Sequence, residues 1–441
     1  MERTLAQDAG HHIGEYIALR GFVQTVRNQK SVQFIILRDH TGLIQIVTER
    51  SDSNHHLNEL IEKLTRESAI QVSGVVMKNP DVKLGQLEVQ LQTLSIEAMS
   101  EATLPVDLSG KTETEVDKRL DWRFLDLRQP ENQLIFRVQT TIEMAMRDYW
   151  ISNGFVEIHT PKIMGSPSEG GAELFTLDYF GQTASLAQSP QFYKQMAMAA
   201  GMDRVFEIGP AFRADPSFTP RHSTEFTSVD MEMSWLDSHH ELMQFEEAWL
   251  CHVLQSVREN HGREIAETFG AEVIIPSRPF PQVTMEEAQK LLRDRGYVAP
   301  ADTRKGDIDP QGERLLCEYA KEQYGHEFIF ITDYPAEIRP FYHMRKADMP
   351  EITKSFDLLW KWMEITTGAQ REHRYEILVK QATEKGISLE SIQFYLDFFK
   401  YGCPPHGGFG FGLARLLAAM LNRKSIREVV FLHRGPNRLI P

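Results

Sequence analysis

The sequence predicts an α+β protein in which a small β-barrel precedes a larger domain of helices and antiparallel strands. Two observations lead to this prediction. Residues 13–98 contain five short segments of alternating apolar and polar residues, with one helical segment between the third and the fourth. Residues 205–235 form two longer alternating segments around a polar turn, which is the pattern of an antiparallel hairpin. A chain of 441 residues is long enough for two or three domains.

Composition limits the partners and the compartment. The net charge of −14 is unfavourable for a nucleic-acid binder, so such binding requires a local basic patch. Three cysteines without metal-ligand spacing favour a reducing compartment. The N-terminal residues lack an apolar signal region, and no apolar segment is long enough to cross a bilayer. We therefore expect a cytoplasmic protein without membrane contact.

The first domain is expected to span residues 1–100. Five strands and one helix predict a closed barrel of the OB type, and such barrels commonly stack single-stranded bases on aromatic side chains. Phe34 is the candidate aromatic, although the pattern alone is also typical of a core residue. Residues 101–130 begin with a polar segment rich in Glu, Asp, Thr and Ser, which predicts a linker or hinge.

The second domain is expected to span residues 131–441 and to begin with a long helix. Residues 131–152 carry apolar side chains on one helical face, and Asn153 and Gly154 form a typical helix stop. Further helices are indicated by capping boxes, and a helical insertion is expected over about 263–325.

The hairpin carries candidate binding groups. Its charged residues are Arg213, Arg221 and His222 near the turn, and Glu225, Asp230 and Glu232 on the return strand. Arginine suits phosphate or carboxylate ligands, and the acids suit an amine or a cation. A solvated hairpin also carries alternating charges, so the hairpin alone leaves both interpretations open.

Three other segments contain similar candidates. Residues 402–421 place four glycines before a helical run with Arg415, a pattern that permits close approach to a flat ligand but also occurs in ordinary turns. Lys194 lies in an apolar helical run, either as a snorkelling side chain or as a buried counter-charge. Asp357 and Glu364 lie seven residues apart on what the pattern predicts to be one strand, hence on opposite faces.

Three motifs, in this order along the chain, resemble those of the class II aminoacyl-tRNA synthetases, specifically the archaeal-type aspartyl members. Gly154–Pro161 is similar to motif 1, Phe212–Phe226 to motif 2 and Gly410–Arg415 to motif 3. The resemblance extends almost from end to end. It implies an antiparallel catalytic domain of class II type after the OB barrel, and a homodimer formed through motif 1.

The resemblance implies a two-step reaction. ATP and L-aspartate give aspartyl-adenylate, and a tRNA ribose hydroxyl then takes the aspartyl group. Arg213 is the implied catalytic residue, which bridges the substrate carboxylate and the α-phosphate. The implied ATP-binding residues are Arg213, Asp215, Arg221, His222, Phe226, Glu364, Gly412 and Arg415. The implied aspartate-binding residues are Glu169, Ser189, Gln191, Lys194, Asp230, Thr367 and Arg371. Asp357 and Glu364 match acids that bind Mg²⁺.

The resemblance also implies an anticodon-binding face on the barrel, formed by Gln24, Arg27, Phe34 and Gln45. Phe34 would stack a base, Gln45 would bind a base edge, and Arg27 would hold a phosphate. In archaeal-type relatives the position of Gln24 often carries tryptophan in strict enzymes and histidine in relaxed ones. A glutamine amide offers both a donor and an acceptor, which favours charging of both tRNA(Asp) and tRNA(Asn).

Three alternatives remain open at this point. A paralogue could activate aspartate or asparagine for another acceptor, although such paralogues often lack the barrel. An asparaginyl enzyme typically lacks the lysine at 194 and has glutamate at the position of Asp230. A non-catalytic tRNA-binding protein is supported only by Ala414, which stands where the family usually has an acid.

Overall fold

A computed structural model describes residues 2–108, 110, 112, 114–165 and 173–441. The chain forms two compact units, Met1–Gln133 and Leu134–Pro441. The passage between them falls within the helix Pro130–Ser152. Within the described residues, no helix has the length and apolar character that crossing a membrane requires.

The first unit contains a closed five-stranded barrel with the order β1-β2-β3-β5-β4. The strands are β1 Tyr16–Asn28, β2 Val32–Arg38, β3 Leu43–Glu49, β4 Ala69–Lys78 and β5 Leu87–Ala98, and the helices are α1 His55–Lys63, α2 Val116–Asp121 and α3 Arg123–Asp126. Helix α1 lies between β3 and β4, as predicted for an OB barrel. The expected linker, 101–130, falls within this unit and contains α2 and α3.

Strand alternation determines which barrel residues form the core. On β2, Ile35 and Leu37 are buried in the interior, whereas Phe34 is half-buried and lies outside that cluster. Because side chains of a strand alternate between two faces, Phe34 belongs to the outer surface. A core role for Phe34 is thereby excluded.

The second unit is built on an eight-stranded, mainly antiparallel sheet with the order β12-β13-β14-β15-β16-β11-β10-β6. Its strands, with those of a separate three-stranded sheet β7-β9-β8, are β6 Val156–Glu157, β7 Ile163–Met164, β8 Thr176–Tyr179, β9 Gln182–Leu186, β10 Arg204–Phe212, β11 Glu225–Ser234, β12 Gln282–Thr284, β13 Phe328–Thr332, β14 Ser355–Trp360, β15 Met363–Arg371 and β16 His406–Gly412. Its helices are α4 Pro130–Ser152, α5 Gln191–Ala199, α6 His239–Phe269, α7 Met285–Asp294, α8 Pro310–Tyr324, α9 Tyr375–Glu384, α10 Gln393–Lys400 and α11 Leu413–Met420.

The predicted hairpin forms two adjacent strands of this sheet, between β16 and the edge strand β6. Strands β10 and β11 pair from Arg204 opposite Met233 to Phe212 opposite Glu225. Helices α4 and α6 pack against each other and against the sheet through aromatic residues: the rings of Trp150 and Trp249 stack with centroids 4.8 Å apart, and Trp150 also lies 4.6 Å from the ring of Phe206 on β10. Both capping boxes predicted from the sequence are present, one at the start of α6 and one at the start of α7.

The segment expected to be a helical insertion, 263–325, is more closely integrated with the sheet. It contains the end of α6, together with α7 and α8. Between α6 and α7 the short strand β12 pairs in parallel with β13 and extends the main sheet. The segment therefore contributes an edge strand as well as helices.

The prediction of one strand carrying Asp357 and Glu364 is wrong. The segment is a tight hairpin of β14 and β15, which turns at Lys361 with a φ of 57°. None of Trp360, Lys361 and Trp362 is a typical turn residue, so this segment carries no turn signal. Asp357 and Glu364 thus lie on neighbouring strands, with a β-bulge between residues 358 and 359. Their separation of seven residues in the sequence is therefore compatible with joint binding of one metal ion.

Candidate active site

One cavity of about 450 Å³ opens above the central strands of the second unit. Most of the predicted ATP- and aspartate-binding residues line it. They are Ser189, Gln191, Arg213, Asp215, Arg221, His222, Phe226, Asp230, Glu364, Thr367, Arg371, Gly412 and Arg415. Lys194 and Asp357 are not among the lining residues, and Glu169 lies outside the described residues.

The hairpin supplies the cationic side of the cavity. Arg213 follows β10 immediately, and its guanidinium carbon lies 5.4 Å from the centroid of the Phe226 ring on β11. Arg221 comes from the loop, where its Nη1 is 2.6 Å from Glu313 Oε2. Two guanidinium groups on one wall form a site that suits phosphate oxygens.

Glu313 connects the two parts of this wall. Its Oε2 also accepts a hydrogen bond of 2.9 Å from the backbone N–H of Glu364. Burial raises the pKa of Glu313. Because Glu313 lies on α8, the segment predicted as an insertion orients both Arg221 and the strand that carries Glu364.

Arg415 and His222 lie on the same side. Arg415 Nη1 donates to the Glu364 carbonyl oxygen at 2.9 Å and lies 3.3 Å from Glu364 Oε1. Burial, together with the charges of Arg415 and Arg221, lowers the pKa of His222 to about 4. His222 is therefore a neutral hydrogen-bonding group near pH 7.

A buried charge cluster forms the opposite end. Lys194 Nζ lies 2.9 Å from Asp230 Oδ1 and 3.4 Å from Glu232 Oε2, and the lysine is 2% exposed. Arg371 Nε lies 3.0 Å from Glu232 Oε1. Lys194 is thus a buried counter-charge, and the snorkelling alternative is excluded. The two cations and two carboxylates balance one another.

His343 extends the cluster on the cavity side. Its Nε2 lies 3.0 Å from Arg371 Nη1, and because arginine only donates hydrogen bonds, Nε2 must be the acceptor. Burial, together with the charge of Arg371, lowers the pKa of His343 well below its ordinary value. The imidazole is therefore neutral and orients the guanidinium.

Two carboxylates could hold a metal ion. Asp357 Oδ2 is 2.7 Å from Arg339 Nη2, whereas Oδ1 is buried and has no hydrogen-bond partner within the described residues. Burial raises the pKa of Asp357. Desolvation opposes ionisation of Glu364, but the charges of Arg415 and Arg221 lower its pKa below the ordinary value. Oxygen ligands of this kind fit Mg²⁺, which takes its remaining ligands from phosphates and water.

No larger metal centre is present: across the described part of the chain, no three His, Cys, Asp or Glu side chains converge to hold an ion.

The glycines of β16 serve mainly to bring strands together. A Cβ on Gly408 would lie 2.1 Å from the Met231 carbonyl oxygen, and one on Gly407 would lie 2.7 Å from the Ala369 carbonyl oxygen. Only Gly410 and Gly412 of this run face the cavity. The sequence predicts that the whole glycine run admits a flat ligand. In the structure, this role is open only to Gly410 and Gly412 within the run.

The predicted anticodon residues occupy one side of the barrel in the first unit. Arg27 pairs with Phe34 across β1 and β2, and Phe34 pairs with Val47 on β3. Gln45 lies two residues before Val47, so its side chain is on the same face. An aromatic ring, an amide and a guanidinium group are thereby brought together.

Two comparisons with protein families match the barrel and the cavity-bearing part of the chain separately. Residues 17–98 match the family described as an OB-fold nucleic acid binding domain, and residues 115–434 match the tRNA synthetases class II (D, K and N). The chain belongs to the class II tRNA synthetases. The residues of this synthetase that match the class II family include every residue lining its cavity.

Characterised relatives of the synthetase are similar over nearly their whole length. The aspartate–tRNA(Asp) ligase of Pyrococcus abyssi is 44% identical over 97% of each chain. The aspartate–tRNA(Asp/Asn) ligase of Methanopyrus kandleri is 43% identical, covering 97% of this chain and 96% of its own. These ligase names belong to the two relatives and not to this chain.

Solved structures extend the similarity to the fold. The asparaginyl-tRNA synthetase of Pyrococcus horikoshii, in complex with asparaginyl-adenylate, matches all of both chains with a TM-score of 0.90 and 30% identity. The aspartyl-tRNA synthetase of Entamoeba histolytica matches with a TM-score of 0.87 and 30% identity, covering 100% of this chain and 93% of its own.

Sequence reasoning assigned no role at the synthetase's site to Glu313, Arg339 or His343, and it gave Glu232 only as a charged residue of the hairpin. The signal for Glu232 was available, since it follows Asp230 by two residues on the same strand and therefore shares its face. The other three lie in segments without a motif; tertiary packing places Arg339 and His343 on the cavity lining and Glu313 against Arg221.

Proposed function

We propose that this synthetase is an aspartate–tRNA ligase. An α-carboxylate oxygen of L-aspartate attacks the α-phosphorus of ATP, and pyrophosphate leaves. A 3′-terminal ribose hydroxyl of tRNA then attacks the acyl carbon, and AMP leaves. The observation that carries the proposal is the buried cluster beside the cavity, where Arg371 and Asp230 line the cavity and offer one cation and one carboxylate to the two ends of an amino acid, with Lys194 and Glu232 paired to them. The names of the relatives support the same substrate.

The cationic wall supplies the groups for the first step. Transfer of a nucleotidyl group depends on positioning and on positive charge more than on a protein nucleophile. Arg213 contacts the α-phosphate and the attacking carboxylate, while Arg221 and His222 bind the outer phosphates. The adenine ring lies between Phe226 and Arg415.

Asp357 and Glu364 would hold the magnesium ion. The unpartnered Oδ1 of Asp357 is the observation that supports this assignment. When bound, the ion supplies positive charge to the phosphates. Asp215 and Gly412 complete the ATP wall in this proposal.

The amino-acid end selects aspartate. Asp230, Ser189 and Gln191 receive the ammonium group, and Thr367 completes the described part of the pocket. Arg371 faces the cavity with Lys194 behind it, so the side-chain carboxylate meets positive charge. Asparagine cannot make this interaction, and a polar mismatch of this kind can reduce activation by several powers of ten.

The test is pyrophosphate exchange with aspartate or asparagine, followed by charging of tRNA transcripts. Exchange with aspartate alone supports the proposal. Preferential exchange with asparagine would favour the asparaginyl alternative. The similarity of the fold to a solved asparaginyl-tRNA synthetase is the reason to include this arm. Exchange without charging of any tRNA would indicate the paralogue with another acceptor, and no exchange would indicate the non-catalytic alternative.

We infer relaxed tRNA selection, so that tRNA(Asp) and tRNA(Asn) are both substrates. Phe34 and Gln45 read the middle uracil that the two anticodons share, Arg27 holds the backbone, and Gln24 faces the last base. The support lies at Gln24, because its side chain brings no bulky group that would exclude one pyrimidine. The measurement compares two transcripts that differ only in that base. A preference for cytosine above ~10³-fold would contradict relaxed selection.

We also infer a homodimer through motif 1. Met144 and Ile151, seven residues apart on α4, are 59% and 58% exposed, and Val156 on β6 is 48% exposed. Apolar residues at this spacing share one helical face, which suits an isologous contact. Ile151→Asp should shift the protein towards monomer in sedimentation equilibrium, whereas Val298→Asp, at an exposed loop residue, should not.

A cytoplasmic location follows from the same function. All three cysteines are free, which fits a reducing compartment. Cell fractionation would test this, and recovery in the membrane fraction would contradict it.

A further inference from the structure

Gln24 occupies a special position on the barrel. The register between β1 and β2 shifts between Val23 and Thr25, so Gln24 is the extra residue of a β-bulge. A bulge of this kind changes the direction of a side chain relative to the regular strand. The orientation of the Gln24 amide therefore depends on neighbouring side chains and not on regular strand pairing alone.

The Gln24 amide is held by Arg38, whose Nη1 donates to Gln24 Oε1. Because a guanidinium group has only donors, the oxygen of the amide must face it. Rotation of the amide would place its NH₂ group against Arg38, with two donors in contact. The amide therefore presents Nε2, a donor, as the group available to a ligand.

Arg38 is in turn held by Glu67. Arg38 Nη1 and Nη2 donate to Glu67 Oε1 and Oε2 at 3.1 and 2.6 Å, which is a bidentate ion pair. The Glu67 side chain is 0% exposed. Buried pairs of this geometry leave little freedom to either partner.

The backbone fixes Glu67 beside the bulge. Its φ is +67°, in the left-handed region that non-glycine residues rarely adopt. Its N–H donates to the Val23 carbonyl oxygen at 2.8 Å, and the Val23 N–H donates to Ser68 at 2.9 Å. Strained residues that their surroundings hold in place are enriched at functional sites.

A second arginine shares the same carboxylate. Arg128 Nη1 lies 3.1 Å from Glu67 Oε2 and also donates to the Glu67 carbonyl oxygen at 3.2 Å. Its guanidinium stacks over Phe22 at 3.9 Å. Arg128 therefore stabilises Glu67 without contacting Gln24 in the structure, which makes it a matched control.

We propose that Glu67 is a positioning residue for tRNA selection, acting through Arg38 to fix the Gln24 amide as a donor towards the last anticodon base. This inference rests on the proposed role of Gln24 and goes beyond it. Cytosine presents an amino donor where uracil presents a carbonyl acceptor. An amide fixed as a donor gains nothing from the cytosine amino group. Once released, it can also accept from that group.

The experiment measures kcat/KM for charging of the two transcripts that differ in the last anticodon base, and reports the cytosine-to-uracil ratio. Glu67→Gln and Arg38→Lys are the test variants. Each should raise the ratio by ~3–10-fold over the parent. Pyrophosphate exchange, which needs no tRNA, should stay within twofold of the parent.

Two further variants make the result decisive. Gln24→Glu, which has only acceptors, should raise the ratio further than either test variant. Arg128→Met removes a partner of Glu67 but leaves Arg38 in place, so it should lower the melting temperature without changing the ratio. If Glu67→Gln fails to fold, Arg38→Lys decides, because it retains the buried charge.

The outcomes separate this inference from the proposed function. If Gln24→Glu shifts the ratio and neither test variant does, Gln24 reads the base but Glu67 does not position it. If Gln24→Glu leaves the ratio unchanged, the proposed role of Gln24 fails, and this inference fails with it. A shift of equal size in Arg128→Met would assign the effect to general loosening and overturn the role of Glu67.

Discussion

The cavity of the second unit and the outer face of the barrel use ion pairs in opposite ways. In the cavity, charged groups form the binding surface itself: Arg213 lines it, and Arg371 lines it with Glu232 behind. On the barrel, the ion pair of Arg38 and Glu67 lies behind a neutral amide that faces outward. In the function proposed above, one region presents charge to its ligand, and the other uses charge to orient an uncharged amide towards a base.

The difference follows from the chemistry of the proposed ligands. A reaction at phosphorus develops charge, which fixed cations stabilise strongly in a cavity that excludes water. Two pyrimidines carry no net charge and differ only in the order of donors and acceptors. A neutral amide of fixed orientation can distinguish them, whereas a bare cation would bind the backbone of any sequence.

The most severe test of this comparison is Arg213→Ala. Loss of a cation at the reacting phosphate should reduce adenylate formation by ~10²–10³-fold. Arg204→Ala, at the other end of the same strand, is the control and should leave exchange nearly unchanged, since Arg204 does not line the cavity. Pyrophosphate exchange measures both. A loss of only a few-fold for Arg213→Ala would remove this residue from the reaction.

Lys194→Met should have the next largest effect. It leaves Asp230 and Glu232 with one cation fewer, so aspartate activation should fall by ~10²-fold and the preference for aspartate over asparagine should narrow. Removal of one partner from a buried pair also costs about 3–5 kcal/mol of stability.

The control for Lys194→Met separates stability from selectivity. Lys162 Nζ lies 2.8 Å from the buried Glu207 and does not line the cavity. Lys162→Met should therefore lower the melting temperature without changing the choice of amino acid. Equal selectivity in the parent and in Lys194→Met would exclude Lys194 from substrate recognition.

Phe34→Ala should have an effect confined to tRNA. Loss of one stacking platform costs about 1–3 kcal/mol, so the KM for tRNA should rise by ~10-fold or more while pyrophosphate exchange is unchanged. Tyr16→Ala, at an exposed aromatic on the β1–β4 side of the barrel, serves as the control. If Phe34→Ala altered exchange as strongly as charging, the functional division between the two regions would be wrong.

Glu246→Gln should have the smallest effect on activity and a clear effect on stability. Glu246 is buried under the sheet, has no cation among its hydrogen-bond and ion-pair partners in the described structure, and accepts a hydrogen bond from Thr366 Oγ1 at 2.5 Å. Burial raises the pKa of Glu246 to about 8, from an ordinary value of 4.5.

The raised pKa determines how the stability contributed by Glu246 changes with pH. The folded state keeps a proton that the unfolded chain releases above its ordinary pKa, so this stabilisation is complete below that value and is lost as the pH rises through about 8. The free energy of unfolding of Glu246→Gln should therefore exceed that of the parent by an amount that grows by up to about 1 kcal/mol per pH unit between these values. A difference independent of pH would show that Glu246 is ionised in the folded protein.

The sequence alone determined the main architecture of this protein. The barrel strands, the hairpin of β10 and β11 and the long helix α4 follow from local periodicity, because alternation and helical spacing record which face of each element is buried. The resemblance carried by the three motifs indicated about half of the residues that line the cavity.

Tertiary structure alone decided how the charges are paired and oriented. Lys194 on α5 and Glu232 on β11 are separated by the whole of β10, and Glu313 reaches Arg221 from a distant helix. The turn at Lys361, which brings Asp357 and Glu364 onto neighbouring strands, has no typical turn residue. The orientation of the Gln24 amide depends on Arg38 and Glu67. Such contacts join residues far apart in the chain, so no local pattern contains them, and packing in three dimensions determines which partner each buried charge finds.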